Sequence, residues 1–427
     1  MLSWLSNPTI LAAGVILAAV QFAAALPWLW AIDPRGFERT TRSGRAVGTI
    51  ALGLLAAGLG IAAFIGYNSE SAYLERFGRY AYGAVLHLQL LIDLFLLLPQ
   101  LLVLLWPKAG AVAQAAYREG WRQSMFWLII VFGIVGTWFA VVIPYFTFGE
   151  DYRVMKQIGF DVVMLTAVLF GVLAASISIS EEIEGRTAIT VMSKPVNRRQ
   201  FLIGKYLGIL MACLAMSLVL SWNLNFALRA MREYDPINNT PDPAEVTAEP
   251  TDKVVDPMTL QAARTIVPTF QAAVPSVPGR AIGKGVGLWF ADALAHTLGL
   301  LLGFGQVTIL VAIASALATR IPFVVNLVLC LVVYFLGHLA PVIVKITESR
   351  AGGDDPALGL VGFLGRLFDV LLPALEFFNM GPAIIRESPL DLWQFGAYVL
   401  TVWGYSLLYT AIVLIVGLLL FEDRDLA

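Results

Sequence analysis

The sequence predicts an all-α integral membrane protein of about nine transmembrane helices, and three observations carry that prediction. Apolar runs of about 20 residues, the length that crosses a bilayer core, recur along the 427-residue chain. Only 14% of the residues are charged, where soluble chains carry about 25%. The short segments 31–46 and 181–201 between those runs hold four Lys or Arg each, and the long segments 229–287 and 344–392 hold ten, which weigh little in orienting a membrane protein. A net charge of -2 with scattered basic residues gives no reason to expect nucleic acid as a partner.

Nine spans are expected at about 9–30, 47–66, 81–106, 126–148, 160–180, 202–228, 288–318, 321–343 and 393–420. The first lies in "MLSWLSNPTILAAGVILAAV", which lacks the basic n-region of a signal peptide and reads as a retained helix. The third contains Asp93, with His87 six residues earlier. Eleven leucines between 88 and 106 surround it, each favouring insertion by roughly 0.3–0.6 kcal/mol against about 3 for one Asp. Insertion therefore demands no special role of Asp93. A polar helix contact is expected, with a proton or ion relay as the alternative. The sixth and eighth spans hold Cys213 and Cys330, in no disulfide or metal-ligand spacing. In the seventh, Asp292 and His296 stand one turn apart on one face. Two ligands are too few for a metal site, so packing or the polar lining of a pathway is expected there. Gly299, Gly303 and Gly305 read as a close helix contact.

Two connections are long. Residues 229–287 are polar and hold eight prolines, which reads as an extended lobe without a compact core. Within it, "GRAIGKGVG" at 279–287 is one residue short of a phosphate-binding loop and lacks its Ser/Thr. In 363–378, "FLGRLFDVLLPALEFF", apolar residues recur at helical spacing. They predict a helix lying in the interface or a re-entrant hairpin bent at Pro373. With the N-terminus outside, the inner segments are 31–46, 107–125, 181–201, 319–320 and 421–427. Arg35, Arg39, Arg42, Arg45, Arg186, Lys194, Arg198 and Arg199 then all face inward, so the expected orientation is N-out and C-in.

The largest of these inner loops, "EEIEGRTAITVMSKPVNRRQFLIGKYLG" from Glu181 to Gly208, is the one charged stretch between apolar spans. Glu181, Glu182 and Glu184 crowd one turn where a helix end meets water. Ile183, Ile189 and Met192 give a short segment an apolar side, and Pro195 stops it by lacking an N–H and restricting Lys194. Asn197 followed by Gln200 resembles a capping box that opens the next span. Such a segment lies across the membrane surface and suits docking to a soluble partner. A charged loop without a partner, as in any polytopic protein, is the other reading of the same residues.

The run resembles the coupling-helix segment of permease subunits of type-two ABC exporters. The branch that includes the nitrous-oxide-reductase maturation and gliding-motility permeases is the most similar. The residues that carry the resemblance are Glu181, Glu182, Glu184, Gly185, Arg186, Thr187, Ser193, Lys194, Pro195, Arg198, Arg199 and Lys205. Upstream, "AVAQAAYREGWRQSMFWLII" is similar to the family's amphipathic elbow helix, here 112–125. Arg118, Glu119 and Arg122 are then expected to face water, with Trp121 and Phe126 in the interface. "LLPALEFFN" at 371–379 resembles the outer helical element, taken as 363–380, before the family's last span.

The resemblance divides the chain into an accessory three-helix segment at 1–107 and a six-span permease domain at 108–427. It implies that two permease copies pair as a homodimer or related heterodimer in a bacterial inner membrane. Two separate ATP-binding subunits would dock on 181–200, carrying ATP and Mg, while this chain binds no cofactor and no metal and is no enzyme. Glu181, Glu182, Glu184 and Arg186 would touch the ATPase, Lys194 and Pro195 would fix the bend, and Arg198 and Arg199 would anchor at the inner surface. Two rivals stay open on the residues alone. One is an ion-driven secondary transporter using Asp93, Asp292 and His296, although no inverted repeat is evident. The other is a membrane assembly subunit that transports nothing.

Overall fold

The computed structural model describes residues 4–68, 70–143, 151–184, 196–234, 257–349, 356–379, 381 and 391–422. Among these the chain is helical, with no strand. In lipid a helix satisfies its own backbone polar groups, so each long apolar run has one economical conformation. All nine expected spans are helices long and apolar enough to cross a membrane.

The first three form one bundle. Helix α1 (Pro8–Ile32) is capped by Asn7, which accepts from the Thr9 N–H, and ends at Asp33. Asp33 in turn caps the short polar helix α2 (Pro34–Arg42) by accepting from the Gly36 N–H at 2.9 Å. Helix α3 (Gly44–Tyr67) returns alongside α1. The two approach so closely that a Cβ at Gly14 would overlap the Gly58 carbonyl, the small-residue contact that lipid favours. Helix α4 (Ser71–Leu105) begins ten residues before the expected span, with a π-helical segment at Gly78–Gly83.

Helix α5 (Pro107–Arg122) follows, then α6 (Ser124–Val142), α7 (Asp151–Glu184) and α8 (Arg198–Tyr234). The fourth span thus ends at Val142, and 144–148 lie outside the described residues. Helix α9 (Pro257–Ala272) leads into α10 (Val277–Leu317), followed by α11 (Phe323–Ser349), α12 (Pro356–Leu371) and α13 (Leu392–Glu422). Helix α10 is the hub. Of its most apolar window 89% is buried, against 18% for α11 and 22% for α13. One core joins α6, α7, α8, α10, α11 and α13, and a second joins α1, α3 and α4 to the start of α10.

The expectation of an extended lobe at 229–287 is corrected by its described part. Helix α8 continues to Tyr234, α9 occupies 257–272, and α10 starts at Val277. The prolines do not interrupt these helices as expected: α9 carries Pro268 within it, while Pro257 opens α9 and Pro278 stands in the first turn of α10. There a missing N–H costs nothing. "GRAIGKGVG" is accordingly the first three turns of α10, opened by Ser276 accepting from the Gly279 N–H at 3.0 Å. Its glycines admit close backbone contacts: a Cβ at Gly285 would overlap the Glu75 carbonyl of α4, and one at Gly283 the Phe270 carbonyl of α9. Residues 235–256 lie outside the described residues.

The helix expected around 363–378 is α12, which packs against α11 through Gly362 on Thr347 and Gly365 on Ile343. It stops before Pro373, and a 3-10 turn at Leu375–Phe378 continues the chain. Met380 at the end of the 363–380 element lies outside the described residues.

Candidate functional site

The base of the charged stretch is where most helices meet. Helix α7 ends in "SISISEEIE", and its three serines are buried, Ser176 at 0%, Ser178 at 6% and Ser180 at 2% exposed. Residues four apart share a helix face and the one between points away, so they serve two directions. Ser176 accepts from Asn326 Nδ2 of α11 at 3.0 Å. Ser180 faces the carbonyls of Ala318 and Ile321 in the α10–α11 turn. Ser178, on the other face, accepts from Lys205 Nζ at 2.9 Å.

Lys205 is the centre of this region. It lies on the second turn of α8, is 5% exposed, and also donates to Glu182 Oε1 at 2.5 Å and Glu119 Oε2 at 3.2 Å. A buried ammonium persists only when paired and hydrogen-bonded. Here the pairing joins three elements: Glu119 from α5, Ser178 and Glu182 from α7, and Lys205 from α8. Glycines bring α5 and α8 close enough, since a Cβ at Gly208 would overlap the Ala113 carbonyl. Burial in the same contact pushes the Tyr117 phenol up to about 12, so it stays protonated.

On its other side the base is tied to the last helix. Arg198 Nη1 donates to the carbonyls of Phe421 at 2.6 Å and Glu422 at 2.9 Å, and its guanidinium lies over the Phe421 ring. Arg320 Nε donates to the Leu420 carbonyl at 2.7 Å. The last carbonyls of α13, which have no partners within the helix, thus receive two cations at the negative end of its dipole. Ile179, Ile183, Phe201, Leu202, Ala318 and Phe421 pack beneath the clamp as one apolar cluster. The expected capping box appears as its reciprocal half, with the Asn197 N–H donating to Gln200 Oε1 at 3.1 Å.

Of the residues singled out from the sequence, Glu181 and Arg199 are exposed at this end, while Glu182 turns inward to Lys205. Gly185, Arg186, Thr187, Ser193, Lys194 and Pro195 lie outside the described residues, as does the side chain of Glu184. In α5, Arg118, Glu119, Trp121 and Arg122 are all exposed, and Glu119 also accepts from Lys205. Phe126, expected in the interface, is 4% exposed and packs edge-on against Phe170 of α7 at 5.2 Å. The serines and the role of Lys205 were missed from sequence. Their signal was a buried-side polar repeat just before the acids.

Of the intramembrane polar candidates, Asp292 and His296 line one small polar pocket with Arg79, Asn225 and Arg229, and Asp93 is not among its lining residues. Asp93 is 7% exposed against α1. Asp292 accepts from Arg79 of α4, and His296 Nδ1 meets Asn225 Oδ1 of α8. Arg229 stacks on Tyr80 at 3.7 Å beside them, and His87 accepts from the Trp289 indole at 3.3 Å. Among the described residues no three His, Cys, Asp or Glu side chains are placed to hold a metal. A separate cleft of about 350 Å³ lies between α7, α10 and α11.

A family model described as ABC-2 family transporter protein matches residues 121–241. The matched stretch begins at the end of α5 and takes in α6, α7, the charged stretch and α8. No curated protein matches the chain.

Proposed function

We propose that this chain is the permease subunit of an ATP-driven exporter, forming the translocation pathway and drawing its energy from separate ATP-binding subunits. The observation that carries the reading is the network at the base of the 181–200 segment, inside the stretch that is similar to ABC-2 family transporter proteins. A push on a loop does work only if the loop's ends are fixed to what must move. Glu182 and Lys205 link it to α5, Ser180 to the α10–α11 turn, and Arg198 to α13. Motion of the segment therefore reaches four helices beyond α7 and α8, namely α5, α10, α11 and α13.

In this reading the charged end is cytoplasmic, with the N-terminus outside and the C-terminus inside a bacterial inner membrane. Two copies pair, each with one ATP-binding subunit, and ATP and Mg stay on that partner. The run of residues from Glu181 to Lys205 favours the branch of the maturation and gliding-motility permeases. Glu181 and Arg199, both exposed, offer the contact, with Gly185–Pro195 between them. Glu182 acts as a positioning residue through Lys205.

The test is purification of the tagged full chain co-expressed with its neighbouring genes. Equal recovery of an ATP-binding subunit, lost on Glu181→Lys combined with Arg199→Glu, is the expected result. A folded chain that never brings down an ATPase would sink the proposal.

A further inference from the structure

The cleft between α7, α10 and α11 has about 350 Å³ of space, within the range of small-molecule sites. Aromatic rings from Phe160, Tyr334 and Phe378 line it, together with the polar groups of Asp161, Gln306 and His338. One of these polar groups presents an acceptor short of a donor. Gln306 is 6% exposed, and its Oε1 is buried with no hydrogen-bond partner, a state that costs a protein stability unless something fills it. His338 Nδ1 lies 2.9 Å from the Tyr334 carbonyl oxygen. A carbonyl can only accept, so Nδ1 carries a proton there.

Asp161 adds a carboxylate. It is exposed on the cleft wall within a helix segment that crosses the membrane. Among the described residues no hydrogen bond reaches its carboxylate, and its electrostatic neighbour is His338 across the cleft. Counted along α10 at 1.5 Å per residue, Gln306 lies about 16 Å from Leu317, near mid-membrane. Counted along α7, Asp161 lies nearly twice as far from the charged end. The cleft thus has a deep end with an amide oxygen and an outer rim with a carboxylate.

We propose that this cleft binds an amphipathic amine. The ammonium group sits on Asp161 at the rim, with ring faces of Phe160, Tyr334 and Phe378 beside it for cation–π contact. A donor further along the molecule meets Gln306 Oε1, and the apolar body fills the space between. An anion is excluded by the carboxylate. Calling the ligand a cargo rests on the exporter reading, whereas its binding does not.

The experiment uses the full chain in phosphatidylcholine nanodiscs, without any ATP-binding subunit, and three fluorescent probes. These are dansylcadaverine, its N-acetyl derivative and dansyl-aminohexanoic acid, matched in size and differing in charge. Saturable binding of the amine, at least about tenfold tighter than the acetylated and acidic probes, is expected. Asp161→Asn should abolish that preference, and Gln306→Leu should weaken amine binding several-fold. Because Asp161 is exposed, its variant should keep the unfolding temperature of the parent. Equal affinity for the three probes, or amine preference that survives Asp161→Asn, overturns the proposal. So does absence of amine binding in a chain whose Asp161→Cys variant cross-links to a second copy, since that copy then covers the cleft. Amine-selective binding by a chain that recovers no ATPase would leave the cleft standing and remove the exporter reading. The converse would remove the cleft alone.

Discussion

Lys205→Met tests whether the buried network fixes the base of the charged stretch. The substitution keeps an unbranched apolar stem of similar length and removes the ammonium, so packing changes little. Removing one partner of a fully buried pair costs about 3–5 kcal/mol, whereas exposed pairs are worth about 0–1. This network lies between those limits. The Lys205 side chain is 6% exposed, but Glu119 and Glu182 retain 44% and 26% exposure. Water can reach both carboxylates once the cation is gone, so the expected loss is about 2 kcal/mol. Glu182→Gln alone should cost less, because Lys205 keeps Glu119 and Ser178. Combining the two should add little to Lys205→Met, since their shared contact can be lost only once.

The chain supplies its own probe for that cycle. Cys213 and Cys330 are free and buried, at 0% and 1% exposed, so a thiol-reactive dye reports unfolding as they become accessible. The midpoint should fall by several degrees in Lys205→Met and hardly further in the double variant. Strictly additive losses, or a Lys205→Met protein as stable as the parent, would refute the idea that Lys205 holds α5, α7 and α8 together.

Two further outcomes follow from the fold. Arg320→Ala and Arg198→Ala each remove a donor from the last carbonyls of α13, at about 1 kcal/mol apiece. Faster hydrogen exchange at 418–422, with the rest of α13 unchanged, is the expected reading, and unchanged exchange would show that the clamp is idle. Gly285→Leu has no room against Glu75 and Arg79, whereas Gly48→Leu meets nothing within 4 Å. The first should yield little folded protein by gel filtration and the second a normal yield. Equal yields would refute the close packing of α4 on α10.

Span number was legible in the sequence because hydropathy is a local property, and a lipid environment leaves one backbone solution to each apolar run. Helix ends were less legible. Helices α7, α8 and α10 have 34, 37 and 41 residues, more than the roughly 20 that a bilayer core needs. Their ends are set by contacts with other helices and not by lipid. The 229–287 segment was misread for the same reason: its prolines counted as breaks, while Gly285, which seats α4 on α10, meets Glu75 some 210 residues away in sequence. Lys205 stood in the quoted run, yet its partner Glu119 is 86 residues away. No local pattern pairs the two. The half capping box of Asn197 and Gln200 was legible because its partners are three residues apart.

Helical rise also separates the roles of the polar groups. Asp292 precedes Leu317 by about 25 residues, which at 1.5 Å each places it roughly 38 Å along α10, beyond a hydrocarbon core of about 30 Å. The Arg79–Asp292 pair and the Arg229–Tyr80 stack beside it therefore occupy the interface opposite the charged end, where an ion pair costs little. These groups are already engaged, and an ion carrier needs sites that load and empty. They are better suited to fastening α4, and with it the first three spans, to the hub helix. Asp161 differs on the points that matter, being exposed, reached by no hydrogen bond among the described residues, and set at the mouth of a cleft. Lys205, Arg198 and Arg320 at the charged end are held by protein groups, whereas Asp161 and the Gln306 amide oxygen line an open cleft further along α7 and α10.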